Sequence, residues 1–241
     1  MGSENTQSSR EALREGILLT PGPLTTSASV KQAMLRDWGS RDSAFIELNR
    51  RIRDRLLAIA GADGTHVCVP IQGSGTFAVE AAIGILIPPR GGKLLVLVNG
   101  AYGRRMVRIA NVIGRAVMAL EWPEDTPVSP AELESALASD PEISHVAVVH
   151  CETTSGILNP LQDVAEVCAR HHRPLLIDAM STFGALPLDA RLLSFEAVIA
   201  TANKCLEGVP GMAFAIIRKS TLEQAKGNAH SLSLDLYDQW Q

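Results

Sequence analysis

Short runs of consecutive apolar, β-favouring residues recur along the chain, each breaking off on a small or polar residue. They cover residues 66–71, 93–98, 116–122, 145–150, 175–177, 197–200 and 212–218. Runs this short that are apolar at successive positions predict strands buried on both faces of a sheet. The stretches between them carry helical spacing. Ser27 is placed to cap a helix over 30–35, and 50–60 sets Ile52, Leu56 and Ile59 on one face with Arg51, Arg53 and Arg55 elsewhere, a solvated face. Further helices are expected at 77–84, 101–109, 129–138, 164–171 and 221–226. The third of these opens with Ser129 as cap and Pro130 in the first turn. Strands alternating with helices predict right-handed βαβ units and an α/β fold with a mostly parallel central sheet flanked by helices. Residues 1–15 are polar, with charges of both signs, and read as a disordered leader. Pro21, Gly22 and Pro23 impose an extended, turning path on the segment that follows. The last block, 231–241, reads as apolar and uncapped.

Composition narrows the class. A chain of 241 residues, 46% hydrophobic and 20% charged, suffices for one large α/β domain. Its net charge of −4 provides no field to draw nucleic acid or an anionic membrane. The four cysteines show no C-x-x-C spacing and read as reduced cytosolic thiols, not as a disulfide frame or zinc site. The opening is too polar for a secretory signal, and the longest apolar run, 81–89, is too short to cross a bilayer. A cytoplasmic protein without metal, nucleic-acid or membrane partners is expected.

Candidate chemistry collects at strand ends. Asp178 terminates the 175–177 run, and Lys204 follows the 197–200 run with small residues around it and a Gly-Val-Pro-Gly turn after it. Neighbouring strands would bring both to one sheet edge, where open α/β sheets bind ligands. A carboxylate and a lysine so placed suit pyridoxal phosphate: the amine captures the aldehyde as a Schiff base, and the acid keeps the ring nitrogen protonated so that the ring serves as an electron sink. A strand-end salt bridge is the other reading of the pair. Residues 72–76, Gln-Gly-Ser-Gly-Thr, join a strand to a helix as an anion cradle or a tight turn, without the lysine of a Walker loop or the spacing of a dinucleotide fingerprint. Tyr102 lies just past a strand, to stack on a flat ligand or to cap the local core. Thr153 and Thr154 form a hydroxyl-rich loop. His150 reads as a core histidine ahead of a general base, and Cys205 as a packing residue. The strand ends at 73–76, Tyr102, Thr153–Thr154 and Asp178 together suit one phosphorylated, planar cofactor, and pyridoxal phosphate is that reading.

Longer motifs carry a family resemblance. They are Leu-Leu-Thr-Pro-Gly-Pro-Leu-Thr-Thr (18–26), Gln-Gly-Ser-Gly (72–75), Asn-Gly-Ala-Tyr-Gly (99–103), Glu-Thr-Thr (152–154), Ile-Asp-Ala-Met-Ser (177–181), Ala-Asn-Lys-Cys (202–205) and Ser-Leu-Ser-Leu-Asp-Leu-Tyr-Asp-Gln-Trp (231–240). With these the chain resembles the 2-aminoethylphosphonate–pyruvate aminotransferases, pyridoxal-phosphate enzymes of fold-type I, over nearly its whole length from Leu18. The resemblance implies that 16–241 form the cofactor-binding large domain with an extended N-terminal segment. It makes Lys204 the Schiff-base lysine and proton carrier, and Asp178 the partner of the pyridinium nitrogen. Tyr102 and Met180 would sandwich the ring; Ser74, Gly75 and Thr76 would hold the phosphate; Thr153 would reach the ring's polar edge, and Asn203 would lie near the phosphate. The implied reaction converts 2-aminoethylphosphonate and pyruvate to phosphonoacetaldehyde and L-alanine in phosphonate degradation, in a homodimer with sites at the subunit interface. Members of the family continue past Trp240 into a small C-terminal domain that supplies a substrate-gripping arginine. The expectation is therefore a truncated chain with an open, poorly selective site that holds pyridoxal phosphate weakly. An alanine–glyoxylate or serine–glyoxylate enzyme and a non-catalytic remnant are the alternatives.

Overall fold

The apolar runs become strands in a computed structural model that describes residues 16–241; the leader assigned to 1–15 lies outside the described residues. The strands are β1 (His66–Gln72), β2 (Lys93–Val98), β3 (Ala116–Glu121) and β4 (His145–Val149), then a small hairpin of β5 (Cys151–Glu152) and β6 (Ile157–Leu158), then β7 (Leu175–Asp178), β8 (Ala197–Thr201) and β9 (Met212–Arg218). All but the hairpin join one seven-stranded sheet in the order β1-β9-β8-β7-β4-β2-β3. β9 runs antiparallel to both of its neighbours; the other pairs are parallel. The expected mostly parallel α/β sheet is thus formed.

The described residues form eight α-helices, α1 (Ala28–Ala33), α2 (Ser43–Ile59), α3 (Gly75–Leu86), α4 (Ala101–Val112), α5 (Pro130–Ser139), α6 (Leu161–Arg170), α7 (Lys219–Gln224) and α8 (Leu236–Trp240); α1 buries no residue, and the others flank the sheet. Because successive side chains of a strand point to opposite faces, each apolar run feeds two cores. Leu95, Leu97, Val146, Val148, Ile177 and Phe214 pack with the buried faces of α2, α5 and α6. Leu94, Val96, Ala147, Val149, Leu176 and Ile199 pack with α3, α4, α7 and α8. Asp178 shares the phase of Leu176, so the same alternation sends its carboxylate toward the α3/α4 layer.

Helix ends follow local chemistry. Ser27 Oγ accepts from the Val30 N–H at 3.3 Å, and Ser129 Oγ from Glu132 N–H at 3.2 Å, as their positions predict. Three features differ from expectation. α2 begins at Ser43, and its apolar stripe runs through Ile52, Leu56 and Ala60; Ile59 falls one position off the stripe and is 48% exposed. On its outer face Arg50 pairs with Glu47 and Asp54. The hairpin β5–β6 replaces a plain loop, because two-residue strands leave no periodic signature in the sequence. The C-terminal block is capped after all: Asp235 accepts from the backbone N–H groups of Tyr237 and Asp238.

Phe214, fully buried and set edge-on to Phe183 with ring centroids 5.1 Å apart, anchors the α2/α5/α6 core. Phe214→Ala should cost about 3–5 kcal/mol by urea denaturation with an unchanged m-value, whereas a loss below roughly 1 kcal/mol would contradict this packing.

Candidate functional site

The C-terminal ends of β1, β2, β4, β7 and β8 all lie at one edge of the sheet, and a cavity of about 160 Å³ opens there. Strand order reverses at β2, with β3 on one side and β4 on the other, and such a switch point parts the loops above it. The turn after β1 brings Ser74, Gly75 and Thr76 to the cavity wall. The start of α4 brings Tyr102, the β5–β6 hairpin Thr153, the end of β7 Asp178 and Met180, and the turn after β8 Asn203 and Lys204. The structure thus gathers every nominated site residue around one cavity. Thr154 is the exception within its loop: its hydroxyl turns away to donate to Glu152 Oε1 at 2.8 Å.

Asp178 is 4% exposed, and its Oδ1 accepts the Met180 N–H at 2.9 Å. Burial pushes its carboxyl up to about 6; the Met180 N–H opposes that, the nearby Glu152 charge adds to it, and Arg105 and Lys204 pull it back. No ion pair within 4.0 Å joins Asp178 to Lys204, so the strand-end salt bridge is not formed. The Lys204 side chain instead lies against Gly22 of the N-terminal segment. A Cβ on Gly22 would sit 2.3 Å from Lys204 Cδ and 2.8 Å from Nζ, at a backbone φ of 152°. Gly75 serves the same end across the cavity, because a Cβ there would meet Met180 Sδ at 2.6 Å.

Two helix N-termini face this region, and the chain treats them differently. At α3 the N-cap Ser74 makes no capping bond and no acidic residue stands in the first turn, leaving the positive end of the helix without a charge from the chain. At α4 the fully buried Glu152 supplies that charge, its Oε2 accepting the Tyr102 N–H at 3.2 Å.

Sequence reasoning missed Glu152, Gly22, Thr201 and Arg105. Arg105 follows Tyr102 by three residues, the spacing that brings helical side chains together. Its guanidinium lies 4.6 Å from the Tyr102 ring centroid and its Nη1 3.4 Å from Thr76 Oγ1. Thr201 Oγ1 lies 2.8 Å from Asn203 Oδ1, so it orients that amide. Glu152 and Gly22 are defined by neighbours distant in sequence and carry no local signal; Arg105 and Thr201 had one, the three-residue spacing from Tyr102 and the two-residue spacing from Asn203. His150 is buried on the opposite face of the sheet and does not line the cavity, in keeping with a core histidine. Cys205 Sγ packs 3.3 Å from the Ser181 carbonyl.

A mostly parallel sheet carrying a lysine and a buried acid at its C-terminal edge is the architecture of the fold-type I transferases, and solved structures agree. The ureidoglycine–glyoxylate aminotransferase of Bacillus subtilis superposes with a TM-score of 0.85 over 92% of this chain and 58% of its own, at 25% identity. The aminotransferase class-V family model matches residues 27–233, and the chain belongs to that family. It is 59% identical over 93% of its length to 2-aminoethylphosphonate–pyruvate transaminase 2 of Burkholderia lata, and 57% identical over 94% to 2-aminoethylphosphonate–pyruvate transaminase 1 of Polaromonas sp.. It spans 59% and 61% of the length of those two relatives. Among the described residues no helix is long and apolar enough to cross a membrane.

The raised Asp178 carboxyl has a consequence for stability. Between the pKa of an unfolded aspartate, about 3.9, and about 6, the folded chain keeps a proton that the unfolded chain has lost. Stability therefore falls as pH rises through that window, by about 3 kcal/mol from this group. Asp178→Asn should remove that decline, so unfolding free energies of the ligand-free variant should change less between about pH 4 and pH 7 than those of the unaltered chain. Equal pH dependence in the two proteins would contradict a carboxylate held away from water and without an ion pair.

Proposed function

We propose that residues 16–241 are the cofactor-binding large domain of a pyridoxal 5′-phosphate-dependent aminotransferase that moves the amine of 2-aminoethylphosphonate to pyruvate, yielding phosphonoacetaldehyde and L-alanine. The observation that carries this reading is the pairing, across one cavity, of an unpaired lysine with a buried carboxylate that has no cation bonded to it. The residues present fit the cofactor. An acid with raised proton affinity suits a ring nitrogen that brings its own proton; the uncompensated start of α3 suits a phosphate; and the space among Tyr102, Met180 and Thr153 suits a flat ring.

When bound, the cofactor supplies an electron sink for the carbon that carries the amine. The chain's own groups do the rest. Lys204 Nζ would hold the cofactor through its aldehyde carbon, and as a free amine it would take the proton from the carbon that carries the donor's amine and deliver it to that former aldehyde carbon. Asp178 would keep the proton on the ring nitrogen. Tyr102 and Met180 would flank the ring, Thr153 would meet its polar edge, and the backbone N–H groups at Ser74, Gly75 and Thr76 would hold the phosphate, with Asn203 alongside. Arg105 gives the cavity a cation for an acidic group. Identities of 57–59% to phosphonate transaminases, against 25% to a glyoxylate aminotransferase, favour the phosphonate donor over the glyoxylate-type alternative. Assembly as a homodimer in the cytoplasm is part of the same proposal.

Mixing the chain with pyridoxal phosphate and reducing with borohydride should leave a stable adduct on Lys204 by mass spectrometry, and none on Lys204→Ala. Absence of an adduct from the unaltered chain would overturn the reading. In adduct-forming protein, Arg105→Gln should weaken binding of 2-aminoethylphosphonate about tenfold while leaving ethylamine, which has no acidic group, unaffected. Equal loss for both would contradict a cation that recognises the donor's acidic end.

A further inference from the structure

Glu152 is a fully buried carboxylate with no lysine, arginine or histidine paired to it. An anion removed from water is costly unless dipoles replace its hydration. Here the start of α4 does so. Glu152 Oε2 accepts the Tyr102 N–H at 3.2 Å, and Oε1 accepts the Thr154 hydroxyl at 2.8 Å. The carboxylate thereby fills the capping place that Gly100 lacks a side chain to fill. The fit is close from both sides. A Cβ at Gly100 would stand 2.2 Å from Glu152 Cγ, and a Cβ at Gly103 would stand 3.0 Å from the Val98 backbone. The first turn of α4 is therefore held between β2 beneath it and Glu152 at its end, and Tyr102 is the residue between those two holds.

We infer that Glu152 is a positioning residue for the cavity: by holding the Tyr102 N–H and the end of α4, it fixes where the Tyr102 ring stands over a bound planar cofactor. This rests on the reading of the cavity as a pyridoxal-phosphate site. The cap comes from the β5–β6 hairpin, which also carries Thr153 to the cavity wall. One two-strand hairpin thus couples the aromatic on α4 to the cavity-lining Thr153. Glu152 does not line the cavity itself and touches no reacting atom.

The test is a double-mutant cycle read by cofactor affinity. Glu152→Gln keeps the size of the side chain but removes its charge and one acceptor oxygen. It should weaken pyridoxal phosphate binding about tenfold and alter the circular dichroism of the bound cofactor. In a Tyr102→Ala background, the same substitution should weaken binding no further. Gly100→Ala, which displaces the Glu152 side chain while keeping its charge, should reproduce the loss and guards against a Gln variant that fails to fold. Losses that multiply with Tyr102→Ala, or a folded Gln variant with unchanged affinity and dichroism, would overturn the inference; a purely structural cap would lower thermal stability and leave both unchanged. If the unaltered chain takes up no cofactor, the functional reading fails, and the cycle is read in the ligand-free protein. There Glu152→Gln should speed amide exchange at Tyr102 and broaden its ring resonances; identical exchange and line widths would reject the positioning role.

Discussion

A carboxylate with no cation bonded to it, buried at the end of a parallel strand, is the constraint around which this molecule is built. Asp178 continues the apolar run of β7 by one residue and inherits its burial, so the strand that stabilises the sheet also strips the acid of water. Its neighbours are arranged so that the cost is met only in part. One backbone N–H reaches Oδ1, the two nearby cations stay out of ion-pair range, and a second buried carboxylate, Glu152, adds its repulsion. A carboxylate in this condition gains from a group that brings its own proton, as the protonated ring nitrogen of the proposed cofactor would.

The two helix ends beside the cavity show the same economy in reverse. α4 receives its anion from Glu152; α3 receives none from the chain and leaves its positive end open to an anion from outside it. Glycines make both arrangements sterically possible. Gly100 admits Glu152, Gly75 admits Met180, and Gly22, between two prolines, admits Lys204. Each is a place where a single methyl group would push Glu152, Met180 or Lys204 out of position, so the backbone shapes the cavity as much as the side chains do.

Most of the fold was legible in the sequence because buried parallel strands announce themselves as short unbroken apolar runs. The cavity-lining residues at strand ends were legible for the same reason: where a run stops on Asp178, or on the turns holding Ser74–Thr76 and Lys204, the sheet edge stops too. What stayed hidden depends on tertiary neighbours. Arg105 and Thr201 line the cavity through local pairs, with Tyr102 three residues before and Asn203 two residues on, whose meaning appears only once the fold brings those partners to the cavity. Glu152 acts across a gap of some fifty positions, from strands too short to read. Ile59 and the cap at Asp235 were misjudged because one residue of helical phase, or one Asx-type bond, decides each.

The most direct measurement is an NMR titration of the Asp178 side-chain carboxyl carbon, carried out with and without saturating pyridoxal phosphate. The midpoint should lie near 6 in the free chain and fall well below the ordinary aspartate range once a protonated ring nitrogen lies against it. A free-chain midpoint near that of an exposed aspartate, or one that pyridoxal phosphate leaves unmoved, would contradict it.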